Sequence, residues 1–292
     1  MLMRGQVPTE RNDRLIYDVG MHRGEDTEYY LKKGFFVIGF EADPHLADYC
    51  RTRFPREIEE QRLVIVEGAI VDPALLSPSQ RTTAFFRNLQ NSVWGTLYSD
   101  WAERNAILGT NSEVIHVNVV NFGECLKRYG IPYYIKVDIE GADTACLKAL
   151  EGFQARPAFV SIESEKVVFR KLREELNLLE RLGYTEFAAV QQGNVDSQQA
   201  PSPSREGVYA PHSFQFGSSG LFGRELPAAW KSKVQITRTY RKIFLSYRMV
   251  GDSSFLKRFR GGKKLIDWLA KRLRRPIPGW YDTHAKHASV SF

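Results

Sequence analysis

The stretch Tyr17-Asp18-Val19-Gly20-Met21-His22-Arg23-Gly24-Glu25-Asp26-Thr27 reads as a strand running into a glycine-containing turn and then a helix. Gly20 and Gly24 let backbone approach a ligand closely, and the helix start supplies unpaired N–H groups. A nucleotide-type cofactor fits such a turn, although any tight strand-to-helix connection can use glycine. The next apolar run, 36–41, adds weight to the cofactor reading because it ends in Glu41, followed by Ala42, Asp43 and Pro44. An acid at the carboxyl end of a second strand is where the ribose diol of an adenosine cofactor is held. Asp18 points to the kind of cofactor. A carboxylate ending the first strand would repel a pyrophosphate crossing the adjacent turn, whereas it suits the sulfonium and amino groups of S-adenosylmethionine. The Gly-x-Gly-x-x-Gly spacing that seats a pyrophosphate is also missing.

Outward from this turn, short β-branched runs alternate with helical patterns, the sign of a parallel sheet covered by helices. Strands are expected at 15–19, 36–41, 63–67, 133–138 and 158–163, and helices at 27–33, 45–54, 122–129, 144–150 and 171–182. Leu172, Leu176, Leu179 and Leu182 show the spacing that lays one helical face on the sheet. The pattern is α/β and doubly wound. Residues 82–120, with β-rich pieces at 83–87 and 114–120, are expected to pair antiparallel at one edge of the sheet. Residues 191–220, rich in Gln, Ser, Pro and Gly, read as a long surface loop. A basic amphipathic helix is expected at 263–275, with Leu265, Ile266, Trp268, Leu269 and Leu273 largely along one face. Three parts follow: a cofactor-binding core at 1–190, a loop and candidate active-site lid at 191–230, and a basic C-terminal extension at 231–292.

The charge divides along the same lines. The 292 residues carry a net +7, yet fifteen Lys and Arg stand against only Asp252 and Asp267 between residues 231 and 275, so the rest of the chain is net acidic. Three readings of this basic portion stay open: a solvated surface, an anionic membrane or carrier site, and a nucleic-acid platform, the last being least favoured because no RNA-binding module accompanies the charge. Cys50, Cys125 and Cys146 are odd in number and lack Cys-x-x-Cys spacing, so neither a disulfide framework nor a thiolate zinc site is indicated. A polar N-terminus and the lack of a long apolar run lead to the expectation of a cytoplasmic protein, with peripheral membrane attachment as an option.

Four elements together resemble the FkbM-type S-adenosylmethionine-dependent methyltransferases: Asp18-Val19-Gly20 with Gly24 and Thr27, Glu41-Ala42-Asp43-Pro44, Lys136-Val137-Asp138-Ile139-Glu140-Gly141-Ala142-Asp143, and Gly183-Tyr184. The resemblance covers roughly residues 14–190, and the Lys-x-Asp-x-Glu-Gly element is its most specific part. Where this chain has Met21-His22, the family more often has Ala-Asn. The resemblance implies the seven-stranded class I methyltransferase form of the Rossmann-like sheet and, for the acceptor, a hydroxyl of a sugar, glycan or secondary metabolite. An RNA ribose acceptor and a non-catalytic cofactor-binding scaffold are the alternatives. Asp18, Gly20, Met21, His22, Gly24, Thr27, Glu41, Ala42 and Asp138 are the expected cofactor residues. Asp138, Glu140 and Glu163, at the carboxyl ends of adjacent strands, are the candidate catalytic acids, since a hydroxyl must lose its proton as it is methylated. The same acids could instead ligate Mg²⁺ or Ca²⁺, or cap helices; no metal is expected. Asp282, His284 and His287 have a metal-like spacing but read as surface residues of a tail. His212 reads as a base closing over substrate. Tyr209, Phe214 and Phe216 are candidate walls of an acceptor pocket, and Trp94, Tyr98 and Trp101 read as loop anchors.

Overall fold

The computed structural model describes residues 8–77, 79–139, 141–165, 168–215, 217–250 and 280–291. Glu140, Phe216 and the expected helix at 263–275 lie outside the described residues. In chain order the elements are β1 (Arg11–Val19), α1 (Glu25–Lys32), β2 (Phe36–Glu41), α2 (Pro44–Arg53), α3 (Pro55–Glu59), β3 (Leu63–Glu67), β4 (Ala69–Ile70), β5 (Thr82–Asn88), α4 (Ser99–Ile107), β6 (Ser112–Val120), α5 (Phe122–Tyr129), β7 (Ile131–Val137), α6 (Asp143–Leu150), β8 (Phe159–Glu163), α7 (Phe169–Arg181), β9 (Tyr184–Gln191), β10 (Lys231–Ser232), α8 (Lys233–Val250) and β11 (Tyr281–His287).

All seven residues of β7 are buried, as are the last five of β1, which is what a parallel strand covered on both faces requires. They occupy the middle of an eight-stranded sheet of order β10-β9-β11-β8-β7-β1-β2-β3. Strands β3, β2, β1, β7 and β8 pair parallel, while β11 enters antiparallel between β8 and β9. With the two-residue β10 set aside, this is the seven-stranded, doubly wound form. Helices α5 to α8 cover one face through Leu126, Leu147, Leu172, Leu176, Leu179 and Tyr240. Helices α1 and α2 cover the other through Tyr29, Tyr30, Cys50 and Phe54.

Three departures from the sequence expectations matter for the site. First, β11 comes from the segment that charge counting placed in the C-terminal extension, so the strand completing the sheet follows the basic portion in the chain. Second, β5 and β6 do pair antiparallel, but with β4 they form a separate three-stranded sheet instead of extending the main one. Third, the segment after β9 is mostly exposed or half-buried through residue 217, as a surface loop should be, but residues 218–223 at its end pack as core. Phe222 is fully buried and stacks on Tyr134 at 4.8 Å, and Phe214 and Leu221 are buried beside it. Side chains replace the backbone ladder this segment lacks: Gln198 accepts from the Leu221 N–H, and Glu225 accepts from the N–H groups of Arg205 and Glu206. A buried Lys33–Glu225 ion pair at 2.9 Å anchors it to the end of α1. Phe214 within the polar stretch and the Leu221-Phe222 pair just after it carry the apolar burial, so average composition conceals it.

Candidate active site

The parallel register puts Asp18 of β1 beside Gly39 of β2 and Lys136 of β7, one residue before the carboxyl ends of β1 and β7. Directly paired residues face the same way, so Asp18 and Lys136 meet on the α1 face. Thr27, in the first turn of α1, donates to Asp18 Oδ2 at 2.6 Å. The Lys136 Nζ donates to the Gly20 carbonyl at 2.9 Å and lies 3.4 Å from Asp18, 3.7 Å from Asp26 and 4.0 Å from Asp138. Burial alone would lower the pKa of this ammonium; Asp18, Asp138 and Asp26 overcome that and hold it above its ordinary value. Burial raises Asp18 against the opposition of Lys136 and Thr27. Asp26 is pushed up to about 7 by burial, with Lys136 opposing, and both its oxygens accept from the Ser219 N–H, at 2.9 and 3.0 Å. The Gly-Ser-Ser-Gly piece at 217–220 is thereby tied to the start of α1.

Above this ion cluster a cleft opens at the carboxyl rim of the sheet. Its walls are the 20–22 turn, residues 41–43, Gly68 to Ile70 after β3, Phe85 and Arg87 of β5, the 92–97 segment, and Lys136 with Asp138. Glu41 stands at the end of β2 and accepts from the N–H groups of His22 and Asp43, both at 2.9 Å. Burial pushes its carboxyl up to about 7 despite those bonds. His22 has a left-handed backbone, φ 50°, and its ring lies between Glu25, at 3.2 Å, and the Ser92 hydroxyl, at 2.8 Å. It therefore bridges the glycine turn to the segment that follows β5. Arg87 clamps Asp43 with two bonds of 2.6 Å, the bidentate geometry that fixes orientation as well as charge. Asp43 also caps α2 by accepting from the His45 N–H.

Of the residues nominated from sequence, Gly20, Met21, His22, Glu41, Ala42 and Asp138 line the cleft. Asp18 and Thr27 do not: both are fully buried behind its wall. The charge of Asp18 is opposed by Lys136, so the negative field a ligand meets comes from Asp138, Asp26 and Glu41 at the cleft wall. Gly24 likewise lies outside the wall, and its missing Cβ is needed by protein packing, since a Cβ there would stand 2.4 Å from the Phe54 ring. Glu163 ends β8 opposite Asp282 of β11 and is not part of the cleft wall. His212 and Tyr209 line a neighbouring groove, and the His212 ring is tilted against Tyr29 with centroids 5.1 Å apart. Phe214 is buried against Tyr29. Tyr98 and Trp101 pack under Gly141, the loop-anchoring role expected of them.

Asp282 and His284 do not lie on a surface tail: as β11 residues they are buried at 8% and 2% exposure. Burial lowers the His284 imidazole to about 3 and raises the Asp282 carboxyl well above its ordinary range, helped by Asp138 and Glu163. Among the described residues no group of three or more His, Cys, Asp and Glu is arranged to hold a metal. Arg87 and Asp26 were not singled out from sequence. Asp26 sits inside the decisive motif, but its partner Ser219 is 193 residues away, and nothing local marks Arg87 as the partner of Asp43.

A doubly wound sheet with a cleft over the carboxyl ends of β1, β2 and β7, an acid ending β2 and a glycine turn ending β1, defines an adenosine-cofactor-binding α/β protein. The methyltransferase FkbM domain model matches residues 18–186, more than half of the chain, and the protein belongs to that methyltransferase family. It is an S-adenosylmethionine-dependent methyltransferase. No curated protein matches the chain. Among solved structures it is similar to the precorrin-6y C5,15-methyltransferase of Geobacter metallireducens, with 11% identity, 70% of this chain and 77% of that chain covered, and a TM-score of 0.35. It is also similar to a methyltransferase from Geobacter sulfurreducens in complex with S-adenosyl-L-homocysteine, with 10% identity, 95% and 86% covered, and a TM-score of 0.34. A third is a methyltransferase from Archaeoglobus fulgidus, with 11% identity, 94% and 87% covered, and a TM-score of 0.35.

Proposed function

We propose that the protein methylates a hydroxyl of a sugar, glycan or secondary metabolite, with Asp138 receiving the proton. The observation that carries this reading is the placement of Asp138: its carboxylate lines the cleft, is 43% exposed and stands 4.0 Å from the Lys136 ammonium. S-adenosylmethionine supplies an electrophilic methyl group; the S–CH₃ bond breaks as the O–CH₃ bond forms, and the hydroxyl proton leaves to a base. Glu41 suits the ribose diol. Ala42, Ala69, Ile70, Phe85 and Leu97 give the cleft an apolar portion suited to the adenine ring. Asp26 and Asp138 favour the cationic end of the donor, and holding the acceptor oxygen in line with the methyl carbon supplies most of the rate.

Labelled donor incubated with a panel of sugars, glycans and phenolic metabolites tests the assignment; transfer to nitrogen, or to none of these, removes it. With an accepted substrate, Asp138→Asn is expected to lower kcat by about 100-fold or more, the usual weight of a general base, and to weaken donor binding by a smaller factor through the lost negative charge. A fall in donor affinity at constant kcat would make Asp138 a donor-binding group instead.

Donor binding is also expected to depend on pH. Glu41 and Asp26 both titrate near 7. Their ionised forms attract a cation and accept diol hydrogen bonds, so affinity should rise by about tenfold from pH 6 to pH 8 and be lost as pH falls through 7. Calorimetry across that range measures it, and Glu41→Gln should flatten the profile; a profile unchanged in that variant would remove Glu41 from donor binding.

A further inference from the structure

Helix α8 covers the sheet face opposite α1, with Ile236, Tyr240 and Phe244 buried on its inner side. The Tyr240 hydroxyl is 2.6 Å from both Ser164 Oγ and Thr283 Oγ1. Phe244 meets Phe169, at the start of α7, edge-on at 5.1 Å, whereas Lys233 pairs with Glu180 near the end of α7. Helix α8 therefore runs antiparallel to α7 and climbs toward the carboxyl rim, the end of the sheet that carries the cleft.

Its outer side has an unusual composition. Eighteen residues include no acid. Val234, Arg238, Arg241, Leu245 and Arg248 fall within roughly 80° of arc at the helical repeat, centred about 120° round the helix from the buried side, with Lys242 next to them, and all six are exposed. Val234 and Leu245 are 61% and 56% exposed. Arg238, Arg241, Lys242 and Arg248 form no ion pair with a described residue, unlike Lys233. A solvated helix face ordinarily mixes both signs, which relieves repulsion and adds i,i+4 support. This stripe does neither, and it places aliphatic side chains among its cations. A phosphodiester backbone engages cations but gives exposed Val and Leu nothing to bury against, whereas the interface of an anionic bilayer accepts both.

We propose that the outward stripe of α8, whose C-terminal part lies toward the carboxyl rim, is a docking face for an anionic phospholipid bilayer. No described helix is long and apolar enough to cross a membrane, and docking of this kind needs none. It does not depend on the acceptor assigned above.

Co-sedimentation of the full chain with vesicles of phosphatidylcholine, with and without about one third phosphatidylglycerol, tests it. Binding is expected only to the anionic vesicles and should weaken with salt. Arg238→Gln/Arg241→Gln/Arg248→Gln should lower the partition coefficient by roughly a hundredfold. Val234→Ser/Leu245→Ser, which keeps every charge, should lower it by about tenfold. Affinity for S-adenosylhomocysteine should be unchanged in both variants, which verifies folding. Failure to bind anionic vesicles, equal binding to neutral ones, or binding to single-stranded RNA alone that is indifferent to Val234→Ser/Leu245→Ser would each overturn the proposal.

Discussion

Lys136→Met is expected to destabilise the protein by about 3–5 kcal/mol at pH 8, the range for removing one partner of a buried ion pair. Methionine nearly matches the volume, so the loss is one of charge and of the hydrogen bond to the Gly20 carbonyl at 2.9 Å. Asp18 and Asp26 would remain, buried at 0% and 3% exposure, with no cation to offset them. Their folded-state pKa values are already raised, and losing Lys136 raises them further. A carboxyl whose folded pKa is raised contributes stability that is present at low pH and lost as pH rises through that pKa. The deficit relative to wild type should therefore shrink as pH falls from 8 to 5.5. Thermal unfolding across that range measures it, and Asp26→Asn added to Lys136→Met should recover part of the loss at pH 8. A deficit independent of pH and untouched by Asp26→Asn would mean that packing, not charge, was lost.

The buried ion cluster also shows where sequence reading succeeds and where it stops. The turn after β1 and the acid ending β2 were legible because a local rule produces each: glycine where the backbone turns left-handed, a carboxylate at a strand end. The pairing of Lys136 with Asp18 follows from register, since the two stand opposite each other in β1 and β7. Whether Asp18 faces ligand or core depends on α1 and Lys136 packing over it, and no pattern within 17–27 carries that. The last strand was hidden for a similar reason. Asp-Thr-His-Ala-Lys-His looks like solvent-exposed sequence, yet β11 is buried between β8 and β9, where Thr283 bonds Tyr240 and Ser164, and Lys286 pairs with Glu186. Thr283 and Lys286 are held in this strand by partners that are all distant in the chain. The 191–230 segment shows the converse: its bulk composition is that of a loop, and a few residues such as Phe222 decide where it is buried.

The glycine at the head of the turn is expected to be the least replaceable residue of the site, for a reason that differs from the one its motif suggests. A Cβ on Gly20 would stand 1.9 Å from the Asp138 carbonyl oxygen and 3.2 Å from Ile139 Cγ2. The obstacle is thus the protein's own chain and not a ligand. Relief by a shift is blocked on each side: Gly20 donates to the Phe40 carbonyl at 3.0 Å, Asp138 donates to the Val19 carbonyl at 3.0 Å, and Lys136 holds the Gly20 carbonyl. Gly20→Ala must therefore break the β1–β7 contact at the rim, which moves Asp138 and the turn together. Its φ of 80° adds left-handed strain of about 1–2 kcal/mol for any residue with a Cβ. Gly34→Ala separates the two effects, because its φ is 85° but its nearest neighbour, Val208 Cγ2, is 3.9 Å away. Gly34→Ala should cost only the left-handed strain and leave S-adenosylhomocysteine affinity intact. Gly20→Ala should cost several kcal/mol more in denaturant unfolding and weaken that affinity by at least about a hundredfold, more than 2.7 kcal/mol. Equal stability and equal affinity in the two variants would show that the turn can leave Asp138 without disturbing the site, and the role given to the β1–β7 rim would have to be abandoned.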